Sequence, residues 1–345
     1  MLPSEREHPA RFVDSIQILL GRLALNKRIL GRTDLEITRI GFGAWAIGGG
    51  GWEYGWGLQD DRQSVAAIHR AIDLGINWVD TAAAYGFGHS ETVVGQALKG
   101  LSNRPYVFTK GGLVPDANRN VVKVLKADSI AREIDASLRR LGVDVIDLYQ
   151  IHWPTEEIEE GWRALSDAQT SGKVRWIGVS NVDVAQVRRI SDIAPVDSLQ
   201  PPYSLLDRDA EDKLLPYCLE HHIGVIVYSP MASGLLSGAM TRERVRRFPE
   251  DDWRKTKSPW FQEPQLTANL KLADLLNRIG LQYDRSAGEV AIAWALRNPA
   301  VTGAIVGIRS PHQLDGVIGA TDFELSDHDV AEIERHFAER SEHAA

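Results

Sequence analysis

The sequence contains very little cysteine. Cys218 is the only cysteine among 345 residues, which excludes an intrachain disulfide framework and a cluster of thiolate metal ligands. A chain of this kind suits a reducing compartment, and we predict a cytoplasmic protein. The remaining histidines and acids show no spacing typical of a metal site, so no metal is predicted.

Long apolar runs and an excess of basic residues are also missing. The apolar stretch between Phe12 and Leu20 is interrupted by polar residues and is too short to span a bilayer. The chain has 39 basic and 47 acidic groups, a formal charge of −8, and no basic stripe with interleaved aromatics. We therefore expect no role in membrane or nucleic-acid binding.

Residues 1–26 differ from the rest of the chain. They show no pattern of small residues typical of signal-peptide cleavage. We interpret them as a loosely attached N-terminal extension; an upstream start codon is the alternative origin. Residues 27–345 show no break in composition and are predicted to form a single domain.

Within that domain, strands alternate with amphipathic helices. A hairpin is predicted around the turn at residues 31–34, and eight strand–helix units follow. Eight units over one domain predict an α/β fold, a closed (β/α)8 TIM barrel, with an open doubly wound sheet as the alternative. The predicted strands are 38–42, 76–79, 106–109, 145–150, 174–179, 197–200, 224–228 and 304–308. The predicted helices are 60–74, 91–98, 130–141, 162–170, 184–190, 211–221, 266–279, 287–297, 312–319 and 326–337.

One dinucleotide-binding pattern carries little weight. Residues 41–46, GFGAWA, match the fingerprint G-x-G-x-x-G/A after a strand. A Rossmann unit requires a helix to begin there, with its N-terminus facing the pyrophosphate. The sequence instead runs into Ile47 and four glycines at 48–51, which predicts a loop.

Ionisable side chains follow three consecutive predicted strands. Asp80 ends the second strand and Tyr85 lies on its loop, Lys110 ends the third, and His152 ends the fourth. In a parallel barrel these positions share one mouth. Each residue has an ordinary explanation alone, as a cap, a packing group or a solvated lysine, but the four together indicate a site.

This set suits proton donation to a carbonyl oxygen. A free phenol has a pKa of about 10 and is a poor acid near neutrality. We expect the Lys110 ammonium to lower the pKa of Tyr85, and Asp80 to keep the lysine charged and oriented. His152 would donate a hydrogen bond to the substrate oxygen.

The motifs GINWVDTAAAYGFGHSE, FTKGG, DLYQIHWP, GVSN, LQPPYS and YSPMASGLLSG resemble those of the aldo-keto reductase superfamily. The resemblance extends from Lys27 to Phe337 and is nearest to the bacterial general-stress and potassium-channel-β-like branches. It implies a TIM barrel that binds NADP(H) without a Rossmann domain and passes hydride to an aldehyde or ketone.

The resemblance also implies roles for individual residues. Asp80, Tyr85, Lys110 and His152 correspond to the catalytic tetrad, with Tyr85 as general acid. Ser180, Asn181 and Gln200 correspond to the carboxamide contacts, and Tyr203 to the aromatic ring that stacks on the nicotinamide. The other implied cofactor residues are Gly43, Ala44 and Trp45; Tyr228, Ser229, Pro230, Met231, Ser233, Gly234 and Leu235 of a pyrophosphate clamp; and Gly307, Arg309, Ser310 and Gln313 of the adenosine-phosphate site.

Two departures from the family pattern concern the adenosine end. Residues 237–239, SGA, stand where many relatives have a basic residue shortly after the clamp. Gly316 and Val317 stand where relatives often have an acid and an asparagine for the adenine. We therefore predict NADP(H) as cofactor, with NAD(H) as a second one.

The substrate pocket is expected to have an aromatic wall. The candidates for this wall are Trp52, Trp56, Trp153, Trp260 and Phe261, with the segment 232–262 as a cover. The arginine-rich part of that segment is interpreted as a solvated face, or else as a contact for an anionic substrate.

We predict an NADPH-dependent oxidoreductase that reduces small-molecule aldehydes or ketones to alcohols. A redox-sensing subunit that serves a partner protein, and a barrel hydrolase or lyase without nicotinamide, are the alternatives. A homo-oligomer is left open.

Overall fold

A computed structural model describes residues 25–342. The predicted N-terminal extension lies outside the described residues, except for Leu25 and Asn26. Between residues 25 and 342, no helix is both long and apolar enough to cross a membrane.

Eight parallel strands close into a barrel, as predicted. The ring runs in chain order, and its last strand pairs with its first, so that Gly307 lies opposite Gly43. The strands of the described residues are β1 (Lys27–Ile29), β2 (Glu36–Thr38), β3 (Ile40–Gly43), β4 (Trp78–Asp80), β5 (Tyr106–Gly111), β6 (Leu113–Pro115), β7 (Val121–Lys123), β8 (Ile146–Ile151), β9 (Val174–Ser180), β10 (Ser198–Gln200), β11 (Gly224–Tyr228) and β12 (Val301–Gly307). The barrel contains β3 to β5 and β8 to β12; β1–β2 and β6–β7 are antiparallel hairpins.

Helices surround the barrel and bury the faces that their periodicity predicts. Ile130, Ile134 and Leu141 all point into the core from one helix, as their spacing requires. Polar caps fix several helix starts, such as the reciprocal bonds between Ser286 and Glu289. The helices are α1 (Asp61–Asp73), α2 (His89–Leu98), α3 (Ala127–Leu141), α4 (Ile158–Thr170), α5 (Val184–Ser191), α6 (Leu214–Glu220), α7 (Arg242–Arg246), α8 (Trp253–Thr256), α9 (Gln265–Leu281), α10 (Ala287–Leu296) and α11 (Asp327–Glu342).

Three segments differ from the predictions. The helix predicted at 312–319 is instead two 3-10 segments, Pro311–Gly316 and Ile318–Thr321. The segment 232–262 contains the short helices α7 and α8. The hairpin β6–β7, here called the mouth hairpin, was not predicted, because strands of three residues carry almost no periodic signal.

The N-terminal end of the barrel is closed by a tryptophan. Trp78 is fully buried in a cluster with Leu35, Ile37 and Phe108, and its indole nitrogen donates to the carbonyl of Thr38 at 2.9 Å. Gly41 faces the indole so closely that a Cβ at this position would lie 2.2 Å from the ring. The barrel floor therefore requires glycine at position 41.

We expect Gly41→Ala to lower the free energy of unfolding by about 1–3 kcal/mol, the usual cost of forcing extra volume into a packed core. Gly316→Ala is the matched control, because a Cβ at Gly316 meets no atom within 4 Å. Urea unfolding of both variants measures the difference. Equal stabilities would show that the floor can repack around the added methyl group.

Candidate active site

The four predicted catalytic residues meet at the carboxyl-terminal mouth of the barrel. Asp80 is the last residue of β4, Lys110 lies near the end of β5, and His152 directly follows β8. Tyr85 lies on the loop after β4. Its ring lies 5.5 Å from that of His152, edge to face. The fold thus brings all four side chains together, as predicted.

Lys110 contacts two other members of this group, Asp80 and Tyr85. Its ammonium donates to Asp80 Oδ1 at 2.6 Å, to the carbonyl of Thr81 at 2.9 Å and to Tyr85 Oη at 3.4 Å. The residue is only 1% exposed. Three contacts match the three donors of an ammonium, so the lysine is fixed in one position.

Burial acts on both members of the ion pair. Burial raises the pKa of the Asp80 carboxyl, and the Lys110 charge opposes that shift. Burial also lowers the pKa of Lys110, and Asp80 opposes that shift in turn. A further bond reaches Asp80 Oδ2 from the amide nitrogen of Gln200 at 3.0 Å. Each charge therefore depends on its partner to remain ionised inside the protein.

The pKa of Tyr85 lies well above its ordinary value, because the phenol is buried and because Asp80 is negatively charged. The expected net lowering of this pKa is therefore wrong, because the Lys110 ammonium does not outweigh burial and the Asp80 charge. Asp80 lies 2.6 Å from the ammonium and offsets most of its effect on the phenol. A phenol of this kind stays protonated near neutral pH and has a proton to donate.

His152 is held neutral. Burial lowers the pKa of its imidazole well below the ordinary value, and the Lys110 charge adds to the shift. Its Nδ1 is buried and has no hydrogen-bond partner among residues 25–342. A neutral imidazole keeps one N–H donor and one acceptor, which suits a neutral carbonyl oxygen better than an anion.

A cavity of about 1350 Å³ opens above these residues. All four tryptophans predicted as its wall line it, namely Trp52, Trp56, Trp153 and Trp260. Phe261 does not line the cavity; it is 2% exposed and belongs to the core.

The sequence reasoning missed several residues of this cavity wall. Trp253 stacks on Trp45 with ring centroids 5.1 Å apart. The sequence signal that could have identified Trp253 was its position in the segment 232–262, which was predicted to cover the site. Other missed residues are Tyr54, Gln59, Asp60, Gln63, Leu113, Val121, Lys123, Lys257 and His312. Arg244 and Arg254 of the arginine-rich segment, one of whose two interpretations was a contact for an anionic substrate, also line the cavity.

Almost all of the predicted cofactor residues line the same cavity. Leu235 is the exception, because it is fully buried in the core. The residues found at the cavity are Gly43, Ala44, Trp45, Ser180, Asn181, Gln200, Tyr203, Tyr228, Ser229, Pro230, Met231, Ser233, Gly234, Gly307, Arg309, Ser310 and Gln313.

Beside His152, polar side chains are held by one another. Tyr228 Oη donates to Asn181 Oδ1 at 2.8 Å, and Asn181 Nδ2 donates to the carbonyl of His152 at 3.0 Å. Ser180 Oγ donates to the carbonyl of Gln200 at 2.7 Å. These bonds fix amide and hydroxyl groups around one point, an arrangement suited to a carboxamide.

Tyr203 was expected to stack on a nicotinamide; it borders the cavity, but its ring leaves no surface exposed there. It is 0% exposed, its ring packs at 5.2 Å from Trp294, and its hydroxyl donates to Glu211. Tyr228, which ends β11, is only half-buried at the same level of the barrel. The aromatic face available there is therefore that of Tyr228.

The loop after β11 turns tightly and leaves one polar group unpaired. Ser229, Ala232 and Ser233 all have positive φ angles, of 56°, 47° and 56°. The turn uses several of its own N–H groups, since those of Ala232, Gly234 and Leu235 donate to the carbonyls of Ser229, Met231 and Ala232. Ser233 Oγ is buried without a partner among residues 25–342. An unpaired hydroxyl that lines the cavity suits a phosphate oxygen of a pyrophosphate.

Arg309 lines the cavity, and among residues 25–342 its side chain donates only to neutral acceptors. Its Nε donates to Gln59 Oε1 at 2.7 Å, and its Nη2 to the carbonyl of Leu58 at 2.7 Å. Burial lowers its pKa, the charge of Arg254 adds to that shift, and the charge of Asp252 opposes it. A guanidinium that forms no ion pair within the described residues suits a phosphate. The donor set as a whole fits a nicotinamide dinucleotide.

The arginine-rich segment is largely paired. Arg242 pairs with Glu263 and Arg247 with Glu243 in exposed contacts, which fits the interpretation as a solvated face. Arg254 is different. It is 7% exposed, it pairs with Asp252 at 2.6 Å, and its guanidinium lies 4.2 Å from the centroid of the Trp56 ring.

Known proteins are similar to this chain in sequence and in fold. A family model described as "Aldo/keto reductase family" matches residues 39–338. The chain is 37% identical to the aldo-keto reductase YhdN of Bacillus subtilis (strain 168), covering 87% of this chain and 90% of that protein. It is 36% identical to the NADH-specific methylglyoxal reductase of Escherichia coli (strain K12), covering 92% of this chain and 100% of that protein. A glycerol dehydrogenase structure from Gluconobacter oxydans superimposes with a TM-score of 0.81 at 37% identity, covering 92% of this chain and 96% of that one.

We expect Lys110→Met to cost about 3–5 kcal/mol of stability, because it leaves the Asp80 carboxylate buried without its counter-charge. Asp80→Asn should also destabilise the protein, since the lysine loses the partner that opposes its desolvation. The double variant Asp80→Asn/Lys110→Met should lose less than the sum of the two. Urea unfolding of the three variants measures the coupling, and strictly additive losses would contradict the mutual dependence of the two charges.

Proposed function

Since this chain belongs to the aldo/keto reductase family and is therefore an oxidoreductase that acts on small carbonyl compounds with a nicotinamide cofactor, we propose that Tyr85, Lys110, Asp80 and His152 are its catalytic residues. The observation that carries this proposal is the contact of the buried Lys110 with both Asp80 and Tyr85, which line the cavity. The favoured reaction is NADPH-dependent reduction of an aldehyde or ketone to an alcohol.

Tyr85 is the general acid in this proposal. A bound nicotinamide supplies the hydride that the carbonyl carbon accepts. As the C=O bond is reduced, its oxygen becomes an alkoxide, which is a much stronger base than a phenolate, so even a phenol of raised pKa donates its proton. Lys110, whose Nζ lies 3.4 Å from Tyr85 Oη, stabilises the phenolate that remains.

His152 and Asp80 act through position and charge. The neutral imidazole of His152 lies beside the Tyr85 ring and offers its N–H to the substrate oxygen, which orients the carbonyl toward Tyr85. Asp80 keeps the ammonium of Lys110 in place. None of the four groups needs to change its charge before the substrate binds, so the site is preorganised.

Cofactor contacts are assigned along the cavity. Ser180, Asn181 and Gln200 would hold the carboxamide, and Tyr228 replaces Tyr203 as the ring beneath the nicotinamide, since Tyr203 is fully buried. The loop at 229–234 would hold the pyrophosphate. Gly307, Arg309, Ser310 and Gln313 would hold the adenosine phosphate.

Arg309 favours NADP(H) over NAD(H). A guanidinium that contacts only neutral acceptors gains charge-assisted bonds from a 2′-phosphate. The Escherichia coli relative is named as NADH-specific, and Gly316 and Val317 offer no polar side chain to the adenine, so NAD(H) remains the second cofactor. We also keep the predictions of a cytoplasmic protein and of a single domain over residues 27–345.

We expect Tyr85→Phe to lower kcat about 10²- to 10⁴-fold, because general acid catalysis contributes factors of this size. Reduction of 4-nitrobenzaldehyde or methylglyoxal is followed by NADPH oxidation at 340 nm. The affinity for NADPH, measured by fluorescence titration, should stay within a few fold, so that the loss reports chemistry. Turnover equal to that of the wild type would remove Tyr85 from its role.

We expect Arg309→Met to weaken NADPH binding about tenfold or more, and NADH binding much less, because charge-assisted bonds contribute about 1.5–3 kcal/mol. Gln59→Leu is the matched control: it removes a neutral partner of Arg309 but keeps the charge, so it should affect both cofactors alike. Fluorescence titration gives the four Kd values. Equal Kd values for NADPH and NADH in the wild type would show that Arg309 does not select.

A further inference from the structure

The catalytic half of the cavity contains a lysine without an acidic partner. Lys123 is the last residue of the mouth hairpin and lines the cavity. Its ammonium lies 5.1 Å from the centroid of the Trp153 ring, and among residues 25–342 no carboxylate pairs with it. Trp153 directly follows His152 in the sequence, so Lys123 contacts the neighbour of a catalytic residue.

Two other cations of the cavity wall form ion pairs, and two more lie at the adenosine end. Lys257 pairs with Glu53, and Arg254 with Asp252. Arg244 and Arg309 lie near each other at the adenosine end, where the charge of Arg244 lowers the pKa of Arg309. Lys123 is therefore a cation at the substrate end of the cavity. It forms no ion pair with the described residues and is not one of the proposed cofactor contacts.

The mouth hairpin holds a second cation over an aromatic ring. The Arg119 guanidinium lies 4.7 Å from the centroid of the Phe87 ring. The ring centroids of Phe87 and Trp52 are 6.2 Å apart, and those of Trp52 and Tyr85 are 6.3 Å apart. A row of aromatic rings therefore extends from the catalytic phenol to the Arg119 guanidinium.

From this arrangement we infer that the mouth hairpin recognises a carboxylate on the carbonyl substrate, with Lys123 as its principal contact. The inference rests on the proposed reductase function. The preferred substrates are aldehydes or ketones with a flat apolar body and a carboxylate at the end opposite the carbonyl. The apolar body packs on the tryptophans, and the carboxylate meets an ammonium that has no competing partner. A single ammonium carries one positive charge, which matches the single negative charge of one carboxylate.

The test compares two aldehydes of the same shape, 4-carboxybenzaldehyde and neutral 4-nitrobenzaldehyde. The readout is the ratio of their kcat/KM values with saturating NADPH. We expect the wild type to prefer the carboxylate. Lys123→Met should lower the ratio about fivefold, the size of a partly exposed charge contact, and Lys123→Glu should lower it further. Lys123→Arg should restore most of it.

The matched control is Lys99→Met, which removes an exposed ammonium at the end of α2, outside the cavity wall. It changes the net charge equally and should leave the ratio unmoved. Raising the salt concentration should lower the wild-type ratio, because a charge contact at the rim is screened. A wild-type ratio that neither Lys123→Met nor Lys123→Glu changes would overturn the carboxylate site while the reductase function stands. Absence of NADPH oxidation with both aldehydes would overturn the reductase function, and the carboxylate site with it.

Discussion

The site depends on an ammonium buried where water cannot solvate it. Lys110 is 1% exposed, and the protein replaces its hydration with one carboxylate, one carbonyl and one phenol. Desolvating a charge is costly unless every donor is matched. That requirement fixes the ends of β4 and β5 relative to each other, and with them the position of the Tyr85 hydroxyl. The remainder of the barrel is the apolar framework that holds this polar cluster at one end.

The two ends of the barrel therefore differ in polarity. The floor around Trp78 and Gly41 is closed and apolar, whereas the mouth carries the buried charges, the tryptophan wall and the long loops. Loops over the mouth are tied to one another by contacts such as the stacking of Trp45 on Trp253 and the bond from Arg309 to Gln59. A preorganised cavity results, in which a neutral imidazole and a protonated phenol lie side by side.

Periodicity was sufficient to predict the barrel, because amphipathic helices such as α3 alternate with short apolar strands such as β8, which is buried on both faces. It also placed Asp80, Lys110 and His152 together, since the carboxyl ends of parallel strands share a mouth. Properties that arise from contacts between distant segments could not be read in this way. The raised pKa of Tyr85 follows from its burial and from the Asp80 charge, and the mouth hairpin has strands too short to show a pattern. The stacking role expected of Tyr203 depends on an exposed ring, and the sequence did not show that Trp294, from α10, packs against that ring.

The central claim is that Tyr85 carries its proton throughout the working pH range and lies ready to donate it. Carbon-13 labelling of tyrosine Cζ tests this directly, because the chemical shift of this carbon distinguishes phenol from phenolate, and Tyr85→Phe identifies the signal. The account predicts that the Tyr85 signal keeps the phenol shift from pH 6 through about pH 10, the ordinary phenol pKa. A phenolate signal that grows in below about pH 8 would contradict it, because a deprotonated Tyr85 has no proton to give.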